Sequence, residues 1–341
     1  MLSYIEGRIL LDFRGPVENS SPDGKMIEKA NRPLKYSVVI PVFNSERIVG
    51  NTLDRTVSFF QTNGLDYEII LVNDGSRDGS WEVIKAKALA NPHLTAINLL
   101  RNFGQHNANL CGFRHTTGDY LITMDDDGQN PPEEILPLIQ KANEGHDLVF
   151  GKFRVKSASL TRVLGSKAIG MINRRIFGQP KGLTVTNFRI LRRDVVDRIC
   201  ASQASFPYIT GQALLNCRLP ANAEVRHDPR KEGKSNYSAL RIARLVMTIC
   251  FSYSLFPLRL LAGVGLFISF GSFLIGVVVL VQGLLKQVQT PGWTTVIVLL
   301  SFLNGMTIIM LSMLGEYVVR ILNQTSKAEP YHVTDIVSAG K

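Results

Sequence analysis

The feature that most constrains this chain lies near its end. Residues 260–318 hold two charged residues, Lys286 and Glu316. At the chain-wide share of 19% charged residues, that stretch would carry roughly 11. Two apolar runs lie in it, Leu260 to Val281 and Thr295 to Gly315. Each is about 21 residues, roughly 32 Å as a helix, which matches a bilayer core. Thr290-Pro291-Gly292 between them is a turn signal. A buried hairpin in a large soluble core is the competing reading, but core helices seldom run this long without charge. Arg241, Arg244 and Arg259 precede the runs, Arg320 and Lys327 follow them, and the connector has only Lys286. The positive-inside rule then predicts a two-helix transmembrane hairpin over 257–322 with both ends cytoplasmic.

Charge is as uneven as hydropathy. The 341 residues carry a net charge of +10. Residues 151–198 alone hold twelve Lys/Arg and two acids, which is the net of the entire chain. A basic stretch beside a membrane hairpin points to anionic lipid or phosphate rather than nucleic acid. The four cysteines, Cys111, Cys200, Cys217 and Cys250, have no paired spacing. That excludes a disulfide scaffold and a zinc ribbon, and fits a reducing compartment. Residues 1–33 read as a polar, turn-rich extension, and no signal peptide is expected.

From Tyr36 the pattern alternates. Strand-like runs fall at Ser37–Pro41, Glu68–Val72, Thr95–Leu99, Tyr120–Met124 and Asp147–Phe150. Helix-length segments fall near Glu46–Thr62, Ser80–Ala90, Gln105–Thr116 and Pro132–Asn143. This predicts an α/β domain over 34–235 with a mostly parallel sheet. Such sheets bind ligands at the carboxyl ends of their strands. Polar clusters sit there after four successive strands: Phe43-Asn44, Asn73-Asp74-Gly75-Ser76, Arg101-Asn102-Phe103-Gly104 and Asp125-Asp126-Asp127.

Alternation sends Asp125 and Asp127 to one side and Asp126 to the other. Two unpaired carboxylates side by side would repel, and a divalent cation, Mg²⁺ or Mn²⁺, resolves that. Gln129 offers a neutral oxygen on the same side, and Asn130 reads as the cap of the next helix. Asp74 is placed to accept hydrogen bonds from a base or ribose. A G-x-G-x-x-G run after the first strand, a Walker A run and G-x-S-x-G are all absent, which disfavours dinucleotide enzymes, P-loop NTPases and α/β-hydrolases. His106 and His227 read as surface or loop residues.

The residues Val38-Val39-Ile40-Pro41-Val42-Phe43-Asn44, Asn73-Asp74-Gly75-Ser76, Arg101-Asn102-Phe103-Gly104 and Asp125-x-Asp127-x-Gln129-x-Pro131-Pro132-Glu133 resemble glycosyltransferase family 2. With the hairpin, the chain looks like a polyprenyl-phosphate glycosyltransferase, the group that holds dolichyl-phosphate mannose synthase and the bacterial undecaprenyl-phosphate enzymes. The resemblance implies a GT-A fold (a Rossmann-like, mostly parallel sheet) in the cytoplasm, followed by interfacial helices and the transmembrane hairpin. It implies inverting, metal-dependent transfer of a sugar from a nucleotide donor, a UDP-sugar such as UDP-glucose, to a polyprenyl phosphate at the cytoplasmic membrane face.

Carried over, Pro41, Phe43 and Asp74 would hold the nucleoside, with Asp126 in the same site. Asp125, Asp127 and Gln129 would hold the metal and the donor diphosphate. Arg154, Arg162, Ser166, Arg230, Lys234 and Ser235 would meet the lipid phosphate, and Arg230 would join Asp125 and Asp127 in catalysis. The chain departs from the family at Ser45, where many members have Glu, at Asn187, where many have Asp, and at Asn236, usually Lys. The Asn187 departure is chemically tolerable. A sugar hydroxyl needs a general base, whereas a phosphate monoester, with a second pKa of about 6, is already ionised at neutral pH.

Asn236 to Ser254 suits an interfacial helix with Arg241 and Arg244 snorkelling, within a juxtamembrane segment 236–256. Leu160 to Phe177 reads as a second membrane-facing helix, and 323–341 as a cytoplasmic tail. Gly263, Gly265, Gly271 and Gly276 permit close helix packing and so a homo-oligomer. The alternatives are a processive polysaccharide synthase, disfavoured because neither Trp81 nor Trp293 follows Arg, and a non-catalytic membrane scaffold that kept the fold.

Overall fold

The computed structural model describes residues 33–153, 160–202, 206–228, 239–254, scattered positions from 260 to 281, 293–325 and 329–339. At 160–168 and 239–245, among others, the backbone alone is described. Residues 1–32 of the expected extension, Arg154, the loop with Arg230, Lys234, Ser235 and Asn236, and the connector of the expected hairpin lie outside the described residues.

Residues 35–341 form one compact unit. Its sheet has eight strands: β1 Lys35–Val42, β2 Asp66–Asn73, β3 Leu94–Leu99, β4 Tyr120–Thr123, β5 Leu148–Phe153, β6 Arg189–Arg192, β7 Pro220–Val225 and β8 Val333–Ser338. Their order is β7-β5-β6-β4-β1-β2-β3-β8. The central four, β4-β1-β2-β3, are mutually parallel. The chain runs from β1 outward to β3 and then returns to the other side of β1 for β4. That reversal opens a crevice at the carboxyl ends of β1 and β4, the usual ligand position in such sheets.

The helices are α1 Glu46–Thr62, α2 Ser80–Ala90, α3 Gln105–Arg114, α4 Ile135–Asn143, α5 Leu160–Phe177, α6 Arg193–Ala201, α7 Ile209–Asn216, α8 Ala239–Tyr253 and α9 Trp293–Thr325. Strand alternation divides β1 between two cores. Val38, Ile40 and Val42 pack with Leu53 and Phe60 of α1 and Ile84 of α2. Val39 joins Leu110 and Phe113 of α3 on the other face, with Val195 and Ile199 of α6. Each such buried aliphatic side chain contributes about 1.5–3 kcal/mol relative to exposure. Gly112 lets α3 approach this closely, since a Cβ there would overlap the Val39 side chain.

The five expected strands and four expected helices are present, within a residue or two at most ends. Three features differ. The sheet is mixed, because β6 runs antiparallel to β4 and β5, and β8 runs antiparallel to β3. Asn130 makes no cap: a 3₁₀ turn over Pro132–Glu134 leads into α4, and the buried Asn130 Oδ1 has no partner among the described residues. The segment 323–341, expected as a tail, instead supplies β8, Val333–Ser338, at the edge of the sheet beside β3.

The basic stretch 151–198 is not one cationic face. Arg189 is fully buried. Arg192 and Arg198 pair with Asp194 at 2.6 and 3.1 Å, and Arg193 lies 3.6 Å from Asp197. Arg174, Arg175 and Lys181 remain exposed.

Among the described residues no helix is long and apolar enough to cross a membrane. The described positions of the first apolar run are helical; its other residues, and several side chains of α9, lie outside the described set. The two runs do touch, because a Cβ on Gly265 would overlap Met310. Gly265 therefore serves contact within the chain. Helix α8 packs on the α/β domain through Ile249, which is buried, and through Tyr253, whose hydroxyl donates to Phe206 O at 2.5 Å. Met247 of α8 stays exposed.

Candidate active site

The carboxyl ends of the parallel strands are stitched together by their own carboxylates and amides. The Asp74 carboxylate, buried just past β2, accepts from the Phe103 N–H at 2.7 Å and the Gly104 N–H at 2.9 Å. It thus pins the loop after β3. Burial raises its pKa to about 6, against those two hydrogen bonds. Asp126 accepts from the Phe43 N–H at 3.0 Å and from the Ser45 hydroxyl, tying the β4 loop to the β1 loop. Asn44, in the left-handed region at φ 52°, accepts from Arg77 N–H at 2.8 Å and donates its own N–H to Ser76 Oγ at 3.0 Å. Glu46 accepts from Gly79 N–H while its own N–H reaches Asp78, both at 3.1 Å. Gly75 (φ 64°) lies against the backbone of Arg101 and Asn102, where no Cβ would fit.

These loops enclose a cleft of about 630 Å³ lined by Phe43, Asn44, Asn73, Ser76, Asp78 and Trp81 on one side and Asn98 to Asn102 on the other. The volume suits a nucleotide-sized ligand. Phe43 presents a ring 45% exposed at its mouth. Of the expected nucleoside residues, only Phe43 lines the cleft. Pro41 is buried within β1 opposite Val72. Asp74 and Asp126 act on the loops that form the cleft.

Asp125 and Asp127 follow β4. Gln105 Nε2 donates to Asp125 Oδ1 at 2.6 Å, and Asn187 Nδ2 donates to Gln105 Oε1 at 3.3 Å. Burial first, then the charges of Asp127 and Asp126, push the Asp125 pKa up to about 6. Burial likewise raises Asp126 to about 6 against its hydrogen bonds. Asp127 accepts from the Gln129 N–H at 3.1 Å. Gln129 Nε2 donates to Asp228 O at 3.4 Å, which directs its amide nitrogen to the start of the loop bearing Arg230.

Among the described residues no group of three His, Cys, Asp or Glu side chains forms a closed metal cage. The donor set nonetheless fits a cation that arrives with a ligand. Mg²⁺ needs only one or two carboxylates when phosphate oxygens and water complete its shell. The mutual repulsion that raises Asp125 is what such a cation would relieve.

Behind Asp125 lies a buried cation absent from the sequence expectation. Arg189 donates to Thr210 Oγ1 at 2.9 Å and lies 5.9 Å from the Phe150 ring centroid, while its Nε and Nη2 have no partner among the described residues. Burial lowers its pKa to about 10, so it stays charged at neutral pH and favours the Asp125 anion. His106, expected at the surface, meets the Phe206 and Tyr208 rings edge-on at 5.7 and 5.2 Å. Burial, with the Arg189 charge, lowers its pKa to about 4. His227 does lie in a loop, against Phe153. Arg189 lay outside the five expected strands, so nothing in the sequence marked it as inward-facing. Gln105 carried no signal either, as a glutamine opening a helix is ordinary.

Arg162 and Ser166 lie one turn apart on α5, with their side chains outside the described set.

Residues 37–200 match the glycosyl transferase family 2 model. The chain is 35% identical over 310 residues, 89% of this chain and 94% of the relative, to the undecaprenyl-phosphate 4-deoxy-4-formamido-L-arabinose transferase of Salmonella paratyphi B. The enzyme of that name from Salmonella enteritidis matches to the same extent. Among solved structures, a glucosyl-3-phosphoglycerate synthase from Mycobacterium tuberculosis superposes with a TM-score of 0.49 at 18% identity, over 68% of this chain and 85% of that one. The identity and coverage shared with the Salmonella transferases extend well past the family model. The chain is thus a glycosyltransferase and belongs to glycosyl transferase family 2.

Proposed function

We propose that this enzyme transfers a sugar from a nucleotide donor to a polyprenyl phosphate such as undecaprenyl phosphate, with inversion, at the cytoplasmic face of a membrane. The observation that carries the reading is the cleft at the ends of β1 to β3, whose lining residue Phe43 is hydrogen-bonded to Asp126, the residue between Asp125 and Asp127. The name of the Salmonella relatives supports the lipid acceptor. A UDP-sugar is the favoured donor. UDP-glucose is the first candidate, and the formamido-pentose named for the relatives is the second.

Phe43 and Trp81 offer apolar faces to a base, and Asp78, Asn98 and Asn102 offer polar atoms to base and ribose. Asp125 and Asp127, with Gln129 beside them, would hold Mg²⁺ or Mn²⁺ on the donor diphosphate. The cation supplies charge neutralisation of the leaving nucleoside diphosphate. Gln105 and Arg189 keep Asp125 oriented and anionic. Asn187 is an amide and cannot take a proton, which suits an acceptor that is already ionised. The acceptor phosphate oxygen attacks the anomeric carbon and the diphosphate departs from the opposite face. Arg162, Ser166, Arg230, Lys234, Ser235 and Arg154 are the proposed partners of the lipid phosphate, where positive charge steadies the attacking oxygen.

Residues 257–322 are proposed to anchor the enzyme as a transmembrane hairpin. Large apolar side chains there are exposed: Phe267 is 80% exposed, Ile308 63% and Leu311 61%. The return of β8 to the sheet favours a hairpin, because a segment that leaves and re-enters one domain must exit the membrane on the side it entered.

The test is transfer itself. Full-length protein with Mn²⁺ and undecaprenyl phosphate is offered UDP-glucose, other UDP-hexoses and UDP-formamido-arabinose, and lipid-linked sugar is detected by mass. One donor should give a single-sugar product. A polymer would indicate a processive synthase. No product and no nucleotide binding would indicate a scaffold.

A further inference from the structure

We propose that the C-terminal strand is a working part of the donor cleft, with His332 a positioning residue for the nucleotide. The proposal rests on the reading of that cleft as the nucleotide site. The far wall of the cleft is the end of β3 and the loop Leu100–Asn102. Asp74 holds this loop from inside. The tail holds it from outside.

Strand β8 pairs antiparallel with β3, with Asn98 opposite Asp335 and Leu99 opposite Val333, and the register breaks between Asn98 and Leu99. Such an irregularity bends a strand and redirects the residues beyond it. Here it falls where the cleft wall begins. Just beyond it, the Leu100 N–H donates to His332 O at 2.9 Å, and Thr334 Oγ1 donates to Asn98 O at 3.1 Å. The His332 ring meets the Phe103 ring at 6.1 Å and 66°. The Arg101 guanidinium lies 5.1 Å from that same Phe103 ring. One aromatic side chain thus links the tail to a cation that lines the cleft.

The tail has its own anchor. Tyr331 is 5% exposed, accepts a hydrogen bond from Arg114 Nη1 at 3.2 Å and lies under that guanidinium at 5.5 Å. Helix α9 ends at Thr325 and β8 begins at Val333. A short span therefore joins the second apolar helix to the wall of the donor cleft. A solubilising tail would need neither the buried tyrosine nor the ring contact.

The experiment uses full-length enzyme in detergent. UDP, GDP and CDP are titrated with Mg²⁺ into wild type, and the diphosphate that binds is taken forward. His332→Ala should weaken it about five-fold, the scale of one lost aromatic pair. The KM for the donor should rise similarly, while kcat and the KM for undecaprenyl phosphate change less than about two-fold. His332→Phe should restore wild-type affinity. The double variant His332→Ala/Phe103→Ala should bind no worse than Phe103→Ala alone, because both act on one contact. Unchanged affinity in His332→Ala, or full additivity in the double variant, would overturn the inference while leaving the cleft as the nucleotide site. Failure of wild type to bind any of the three would overturn the cleft reading, and the inference with it.

Discussion

At the residue scale, the acids of this site divide their work by where their oxygens point. Both Asp74 oxygens face backbone N–H donors. In Asp74→Asn, the new NH₂ would oppose one of those donors and free the β3 loop. Losing a charge-assisted bond and leaving an unpaired donor costs about 2–3 kcal/mol. Nucleotide affinity should fall at least ten-fold by calorimetry, and Asp74→Glu should not rescue it.

Asp125 has a different signature. Its pKa is raised to about 6, so it takes up a proton as pH falls through that value. Cation activation should therefore weaken between pH 7 and 5, seen as a rising Mn²⁺ activation constant. The sign for stability is opposite. A carboxyl raised in the folded state binds more protons there than in the unfolded chain, so its contribution declines as pH climbs from about 4 to about 6. Without metal, melting temperature should not drop between pH 7 and 5.5 on account of Asp125 and Asp126. Mn²⁺ should raise it more at pH 7 than at pH 5.5.

At the scale of elements, the contact between α3 and β1 decides where Gln105 sits. Helix α3 begins at Gln105 and is set against the sheet by Gly112, where any side chain would overlap Val39. Gly112→Ala must push the helix outward, and overpacking of this kind costs about 1–3 kcal/mol. The melting temperature should drop by several degrees. The rate should fall as well, because Gln105 moves with the helix away from Asp125. A loss of stability with unchanged kcat would separate the two.

The strand ends Phe43, Asp74 and Asp125 were legible because an alternating βαβ pattern fixes where carboxyl ends fall. Their division of labour was not. Whether a carboxylate faces a ligand or a neighbouring loop depends on backbone N–H groups some 30 to 80 residues away in sequence.

At the scale of the whole molecule, described residues tie the second apolar helix back to the folded domain. Tyr317 of α9 donates to Ser254 O, just past α8, at 3.2 Å, and the chain beyond α9 returns as β8 to β3. In a Cys-free background in intact cells, Gln289→Cys in the connector should react with an impermeant maleimide and Ser338→Cys should not. Labelling of both, or of Ser338→Cys alone, would contradict the proposed hairpin and its orientation.

The sequence by itself determined the α/β class, the parallel centre of the sheet, the edge on which the polar clusters gather and the two long apolar runs. All of these are written in local periodicity. Only the tertiary structure decided the rest. Arg189 is drawn inside, its charge facing Asp125 rather than lipid. Asp74 and Asp126 are turned onto neighbouring loops. The last strand crosses back from the apolar helices to pair with β3, whose end lines the cleft. The physical reason is that these features are pairings between distant segments. A buried charge or an edge strand takes whichever partner the folded backbone brings within hydrogen-bond reach, and no periodicity along the chain records that choice.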